Sequence, residues 1–129
     1  MMRDADPAVM RAMVAPEFAS LTDEDALHGP AAAVRLRECG VEDEELVHAV
    51  EYHTLGSRDF CDLGKALYAA DFLEPGRKKE NEWRVGLRAR LPSELEVVVR
   101  EITEARVGYL MERGRPIRAE TTDFLRSMV

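Results

Sequence analysis

Apolar residues recur at three- and four-residue spacings along this 129-residue chain, and no stretch alternates with a period of two. That pattern excludes a sheet and demands helices packed on helices. Proline and glycine supply the punctuation. "PAVMRAMV" at 7–14 can open on Pro7, and Pro16 ends that helix or bends the chain away from it. "LTDEDALHGPAAAVRLRECG" offers Thr22 or Asp23 as a cap and a helix over about 30–39, stopped by Gly40. From Asp43 to His53, Leu46, Val50 and His53 share one helical face. A helix over 60–74 places Leu63, Leu67, Ala70, Asp71 and Glu74 together, and "EPGR" closes it. A long helix over 92–113 aligns Leu95, Val98, Ile102, Ala105 and Tyr109 up to Gly114, with Gly108 inside it suited to a close helix contact. "RAETTDFLRSMV" closes the chain with Phe124, Leu125 and Met128. Residues 77–91 are the least regular, a loop or a displaced short helix, with Trp83 as its packing anchor. The fold class is therefore all-α, one helical domain over 1–129.

Composition bounds the partners. A net charge of −7 argues against a nucleic-acid surface, which draws its affinity from excess Lys and Arg. No apolar run approaches the roughly 18 residues that span a bilayer. "MMRDADPAVM" lacks the apolar core of an export signal, so the expected location is cytoplasmic. Cys39 and Cys61 would then stay reduced, as small buried hydrophobes. Arg77, Lys78 and Lys79 form a compact cationic cluster, which reads either as a solvated helix end or as a phosphate contact.

Chemistry concentrates on few residues. Asp71 lies on an apolar face, and a buried carboxylate needs a partner. The histidines are His28 in "LHGP", His48, and His53 at the end of its apolar stripe. His48 is about 140° around the helix from His53 and cannot share its ligand face; it reads as a surface or satisfied core histidine. Imidazole and carboxylate groups converging from different helices suit iron, manganese or zinc. Spacing alone favours a plain His–Asp hydrogen bond inside the bundle and does not establish a metal site.

Four blocks carry a further signal: "HGPAAAVRL" from His28, "AVEYHTLG" with His53, "LGKALYAADFLEPGRK" with Asp71, and "YLMERGRPIRAETTDFL" at 109–125. In this order they resemble the later two-thirds of the bacterial YqeK-type HD-superfamily hydrolases, the symmetrical bis(5'-nucleosyl)-tetraphosphatases. The resemblance runs over about 24–129 and is strongest at 24–79 and 109–125. It implies an HD-like helical bundle, incomplete at its N-terminus, in which His28, His53 and Asp71 match metal ligands. His53 and Asp71 would serve the reaction directly. The family splits diadenosine tetraphosphate into two ADP, with metal ions activating water and neutralising charge on the phosphoryl oxygens. Arg77 and Lys65 would then face the substrate phosphates, with Thr54 and Gly56 of the "YHTLG" turn bordering the pocket.

The chain departs from that pattern in one respect. It has no histidine before His28 and no adjacent His-Asp pair. Two expectations follow: a divalent-metal phosphohydrolase acting on a nucleoside polyphosphate, or a degenerate, non-catalytic relative with a nucleotide-binding, regulatory or scaffold role and no metal. Missing early helices would also leave apolar faces to be covered by dimerisation, with 7–18 contributing.

Overall fold

The computed structural model describes residues 6–19, 24–76 and 80–129. The proposed caps Thr22 and Asp23 and the cationic cluster 77–79 lie outside them. Among the described residues there is no strand, as the spacing demands. The helices are α1 (Pro7–Met13), α2 (Pro16–Ala19), α3 (His28–Glu38), α4 (Glu44–Tyr52), α5 (Asp62–Leu73), α6 (Glu82–Ala89), α7 (Leu95–Glu112) and α8 (Ala119–Ser127), with a 3-10 turn at Glu24–Leu27 running into α3.

Local chemistry sets most of these limits. Asp6, Asp43 and Asn81 each accept a backbone N–H of the first turn that follows, from Ala8, Leu46 and Arg84. At the other ends, Gly40 and Gly114 adopt φ values of +90° and +63°. The residue after each glycine donates back five residues, Val41 to the Leu36 carbonyl and Arg115 to that of Leu110. Carbonyls that a helix end would leave orphaned are thereby satisfied. Pro16 acts as expected: the chain is extended at Val14 and restarts as α2.

Two apolar clusters meet at α4. The first joins Met10, Val14 and Phe18 to Leu27, Ala31, Ala32 and Leu55. The second joins Phe60, Tyr68, Leu73, Leu87, Val98, Val99, Ile102 and Phe124. Tyr52 touches both, and α4 packs between α3 and α5. Segment 7–18 therefore turns its large apolar side chains, Val9 excepted, into the chain's own core rather than offering them to a partner.

Several faces are rotated from their expected positions. In α5 the buried residues are Gly64, Tyr68, Ala69 and Leu73, while Leu63 is 46% exposed and Ala70 is exposed. Gly64 lets Phe60 lie directly against the α5 backbone, and Tyr68 and Phe124 pack edge-on around that ring. Asp71 follows Gly64 and Tyr68 at offsets of seven and three, so it borders this face. Only the first half of α7 is buried, through Val98, Val99, Ile102 and Thr103; Ala105 and Tyr109 are exposed, and among the described residues nothing lies close to Gly108. Thr103 donates to the Val99 carbonyl at 2.8 Å and pairs with the Tyr68 hydroxyl at 3.2 Å. Both cysteines are exposed, because each sits at a helix boundary rather than within a packed face. Trp83 is 42% exposed and anchors only by an edge contact with Phe72.

The irregular segment contains a real helix, α6, whose Arg88 pairs with Glu80 just before its cap. Hydrogen bonding from Arg88 holds the Glu80 carboxyl below its usual range. A depressed folded-state value means that this pair stabilises the fold fully above about pH 4.3, the ordinary glutamate value, and that the contribution is lost as pH falls through the folded value. Glu80→Gln should slightly flatten the acid limb of a stability–pH curve and lower stability above pH 6 by the same small amount, since exposed pairs contribute little. Parallel acid limbs for the two proteins would show the pair to be silent.

Candidate metal centre

His28 is the first residue of α3, and its neighbour Gly29 decides how closely that helix start can approach the end of α4. A Cβ on Gly29 would stand 2.9 Å from the Glu51 carbonyl, 3.0 Å from that of Val50 and 3.2 Å from His53 Nδ1. Any larger residue would push α3 off. The contact also sets the positive start of α3 against the carbonyl end of α4.

His53 caps α4 and is 9% exposed. Its Nδ1 lies 2.6 Å from the Val50 carbonyl. A carbonyl only accepts, so Nδ1 carries the proton and Nε2 presents a lone pair. His28 Nε2 stands 2.8 Å from that lone pair, with the rings edge-on. Two bare lone pairs at such a distance repel, so the gap must hold either a proton carried by His28 or a cation. Asp71 Oδ1, from the last turn of α5, lies 3.9 Å from His53 Nε2. One ligand atom from each of the three residues falls within a 4.8 Å group, the only such His, Cys, Asp and Glu group among the described residues.

This donor set fits a first-row divalent ion. The two imidazole nitrogens, 2.8 Å apart, and the Asp71 oxygen, 3.9 Å from His53 Nε2, are close enough for one ion to be reached by all three. Neutral imidazoles with one carboxylate suit iron, manganese or zinc better than calcium or magnesium, which prefer all-oxygen shells. The Val50 carbonyl supplies the outer hydrogen bond that fixes a ligating imidazole's tautomer. Burial first, then Glu51, Glu120, Glu17 and Asp59, push the neighbouring Tyr52 phenol above its usual range.

The turn after His53 is held by its own bonds. Gly56 has φ +85° and donates to the Tyr52 carbonyl at 2.7 Å, and Thr121 of α8 donates to the Leu55 carbonyl at 2.6 Å. His48 is satisfied, as expected, by Ser57 Oγ at 3.0 Å, which fastens the turn back onto α4.

The substrate-side residues are less concentrated. Thr54 Oγ1 is buried beside His53, with no hydrogen-bond partner among the described residues. Gly56 shapes the turn. Lys65 is not gathered with the three ligands: its ammonium pairs with Glu96 of α7 at 3.0 Å. Arg77 lies outside the described residues. A surface cavity of about 420 Å³ lies elsewhere, lined by Glu44, Glu45, His48, Asp59 and Cys61 among others. Its carboxylates would repel a polyphosphate. Sequence reasoning missed Gly29, the Val50 carbonyl, Ser57 and Thr121; only Gly29 carried a signal, as the glycine between His28 and Pro30.

No family model matches the chain. Among characterised proteins it is similar to the symmetrical bis(5'-nucleosyl)-tetraphosphatase of Staphylococcus aureus, 31% identical over 102 residues, covering 78% of this chain and 53% of the relative. The enzymes of the same name from Halalkalibacterium halodurans and Bacillus subtilis are 28% and 30% identical, over 76% and 73% of this chain and 52% and 50% of their own lengths. The chain thus spans about half the length of the curated relatives it matches. A solved structure, described as a predicted HD superfamily hydrolase involved in NAD metabolism from Clostridium acetobutylicum, superposes with a TM-score of 0.82. It covers 98% of this chain and 69% of its own at 22% identity.

Proposed function

Because this chain is a relative of the symmetrical bis(5'-nucleosyl)-tetraphosphatases, with the all-α fold of an HD-superfamily hydrolase, we propose that it is a metal-dependent phosphohydrolase domain acting on a nucleoside polyphosphate. The observation that carries this reading is the convergence of two imidazole Nε2 atoms and one carboxylate from three elements on a single point.

In this reading His28, His53 and Asp71 hold a divalent ion. Such an ion, when bound, polarises phosphoryl oxygens and activates water for attack on phosphorus. The residues themselves do the rest. His53 keeps Nε2 unprotonated by donating Nδ1–H to Val50, and Asp71 offsets the ion's charge. Thr54, next to His53, carries a buried hydroxyl with no hydrogen-bond partner among the described residues, a group that would suit a ligand oxygen. Arg77 is assigned to the phosphates because a planar guanidinium grips them with paired donors. An ion held by His28, His53 and Asp71 alone would still be able to take up water and a phosphoryl oxygen.

One observation favours a second reading. Lys65, expected at the phosphates, is occupied by Glu96, which fits a domain that binds metal and nucleotide without turnover. A single experiment separates the two. Purified protein is analysed for bound metal and then assayed for ADP release from diadenosine tetraphosphate with added Mn²⁺, Fe²⁺ or Zn²⁺. Retained metal with ion-dependent ADP release is the expected result. Metal without ADP would support the binding domain, and protein that takes up no ion would overturn both.

A further inference from the structure

α6 reaches the end of α5, the helix that carries Asp71. Arg84 is 3% exposed, an unusual place for a guanidinium. Its Nη2 donates to the Phe72 carbonyl at 2.6 Å and lies 3.4 Å from that of Glu74. Arg88 Nη1 donates to the Leu73 carbonyl at 2.9 Å. These three carbonyls belong to the last turn of α5 and its cap, where a helix has no donors of its own. Asp71 is the residue immediately before them. Glu80 links the two arginines, lying 3.7 Å from Arg84 Nε and 3.1 Å from Arg88 Nη1, and the Arg84 guanidinium packs over the Phe72 ring at 5.0 Å.

A buried guanidinium is costly to desolvate, and an apolar side chain would fill this position with less penalty. What an apolar side chain cannot do is donate to the end of α5. Without those donors the last turn would fray toward water, as helix ends do when uncapped. Asp71 lies in that turn.

We propose that Arg84, assisted by Arg88, is a positioning residue for Asp71: it keeps the last turn of α5 wound, so that the carboxylate stays beside His53. This inference rests on the reading of His28, His53 and Asp71 as a metal site. It accounts for a buried charge in α6 that neither apolar cluster requires. It also gives the segment after "EPGR" a task at the site without any contact with the ion.

Cobalt(II) tests it, since its visible absorption reports the number and type of ligands while titration reports affinity. The full chain, Arg84→Met, Arg84→Lys and Asp71→Asn would be titrated with Co²⁺, with circular dichroism as a check on folding. Arg84→Met keeps the bulk and loses the donors. It should weaken Co²⁺ binding about 10- to 100-fold, the range found for groups that support a ligand, and shift the spectrum toward that of Asp71→Asn. Arg84→Lys, retaining one donor group, should recover part of both. A merely structural arginine would lower the unfolding midpoint and leave the Co²⁺ spectrum of the folded protein unchanged; a folded Arg84→Met with native spectrum and affinity would overturn the inference. Should Arg84→Met not fold, Arg88→Met decides, with a smaller shift in the same direction expected and an unchanged spectrum overturning the inference. A native chain that takes up no Co²⁺ would overturn the metal reading, and this inference with it.

Discussion

His53→Ala should abolish metal binding while leaving a folded protein. In the proposed site the imidazole is the middle group of the three, 2.8 Å from His28 Nε2 and 3.9 Å from Asp71 Oδ1. Removing it leaves one imidazole and one carboxylate facing an open gap. Loss of a supporting group costs about 10- to 100-fold in metal affinity, and loss of a direct ligand costs more than about 100-fold. The price in stability is small by comparison: the bond to Val50 contributes about 1 kcal/mol, and α4 keeps its Asp43 cap and its buried Val47 and Ala49. Calorimetric titration with Mn²⁺ measures the affinity, and urea unfolding measures the stability. The competing account, a hydrogen-bonded His–His–Asp cluster with no metal role, makes the opposite forecast: no Mn²⁺ heat from the native chain, and an effect of His53→Ala on stability alone.

The grouping of His28, His53 and Asp71 was legible in the sequence because each of the three stands beside a backbone signal. His28 precedes Gly29 and Pro30, His53 ends an apolar stripe three residues before Gly56, and Asp71 lies one helical turn before the "EPG" stop. Such signals act locally, and the helix stop at Gly40 came through for the same reason. What did not come through was helix rotation. The stripe Leu63, Leu67, Ala70 looks more apolar than Gly64, Tyr68, Leu73, yet the latter is buried. Gly64 counts for nothing on a hydrophobicity scale and for a great deal where the Phe60 ring must reach backbone. Tyr68 counts as half polar until Thr103 satisfies its hydroxyl. In α7 the stripe continues to Tyr109, but among the described residues it is left 48% exposed there. Arg84 was the hardest to foresee, since its burial depends on carbonyls at the end of another helix. Helix ends are local chemistry; helix faces are decided by whatever packs against them.

Gly56→Ala should be among the most destabilising single-methyl changes available in this chain, and a comparison with Gly40→Ala shows why. Both glycines have strongly positive φ, +85° and +90°, so both substitutions carry the left-handed backbone penalty of about 1–2 kcal/mol. A Cβ at Gly40 meets open space. At Gly56 it would collide with the Phe124 ring, itself fully buried against Phe60 and Tyr68. The ring has nowhere to go, and overpacking of this kind adds about 1–3 kcal/mol. Gly40→Ala thus isolates the backbone cost, and the difference between the two variants in urea unfolding measures the steric part, expected at about 2 kcal/mol. Relaxation of the strain would move the turn that carries His53 and loosen the Thr121 bond to Leu55, so Mn²⁺ affinity should fall in Gly56→Ala and hold in Gly40→Ala. Equal destabilisation of the two variants would show that the turn and α8 separate at little cost, and that the placement of His53 rests on Gly29 and Val50 alone.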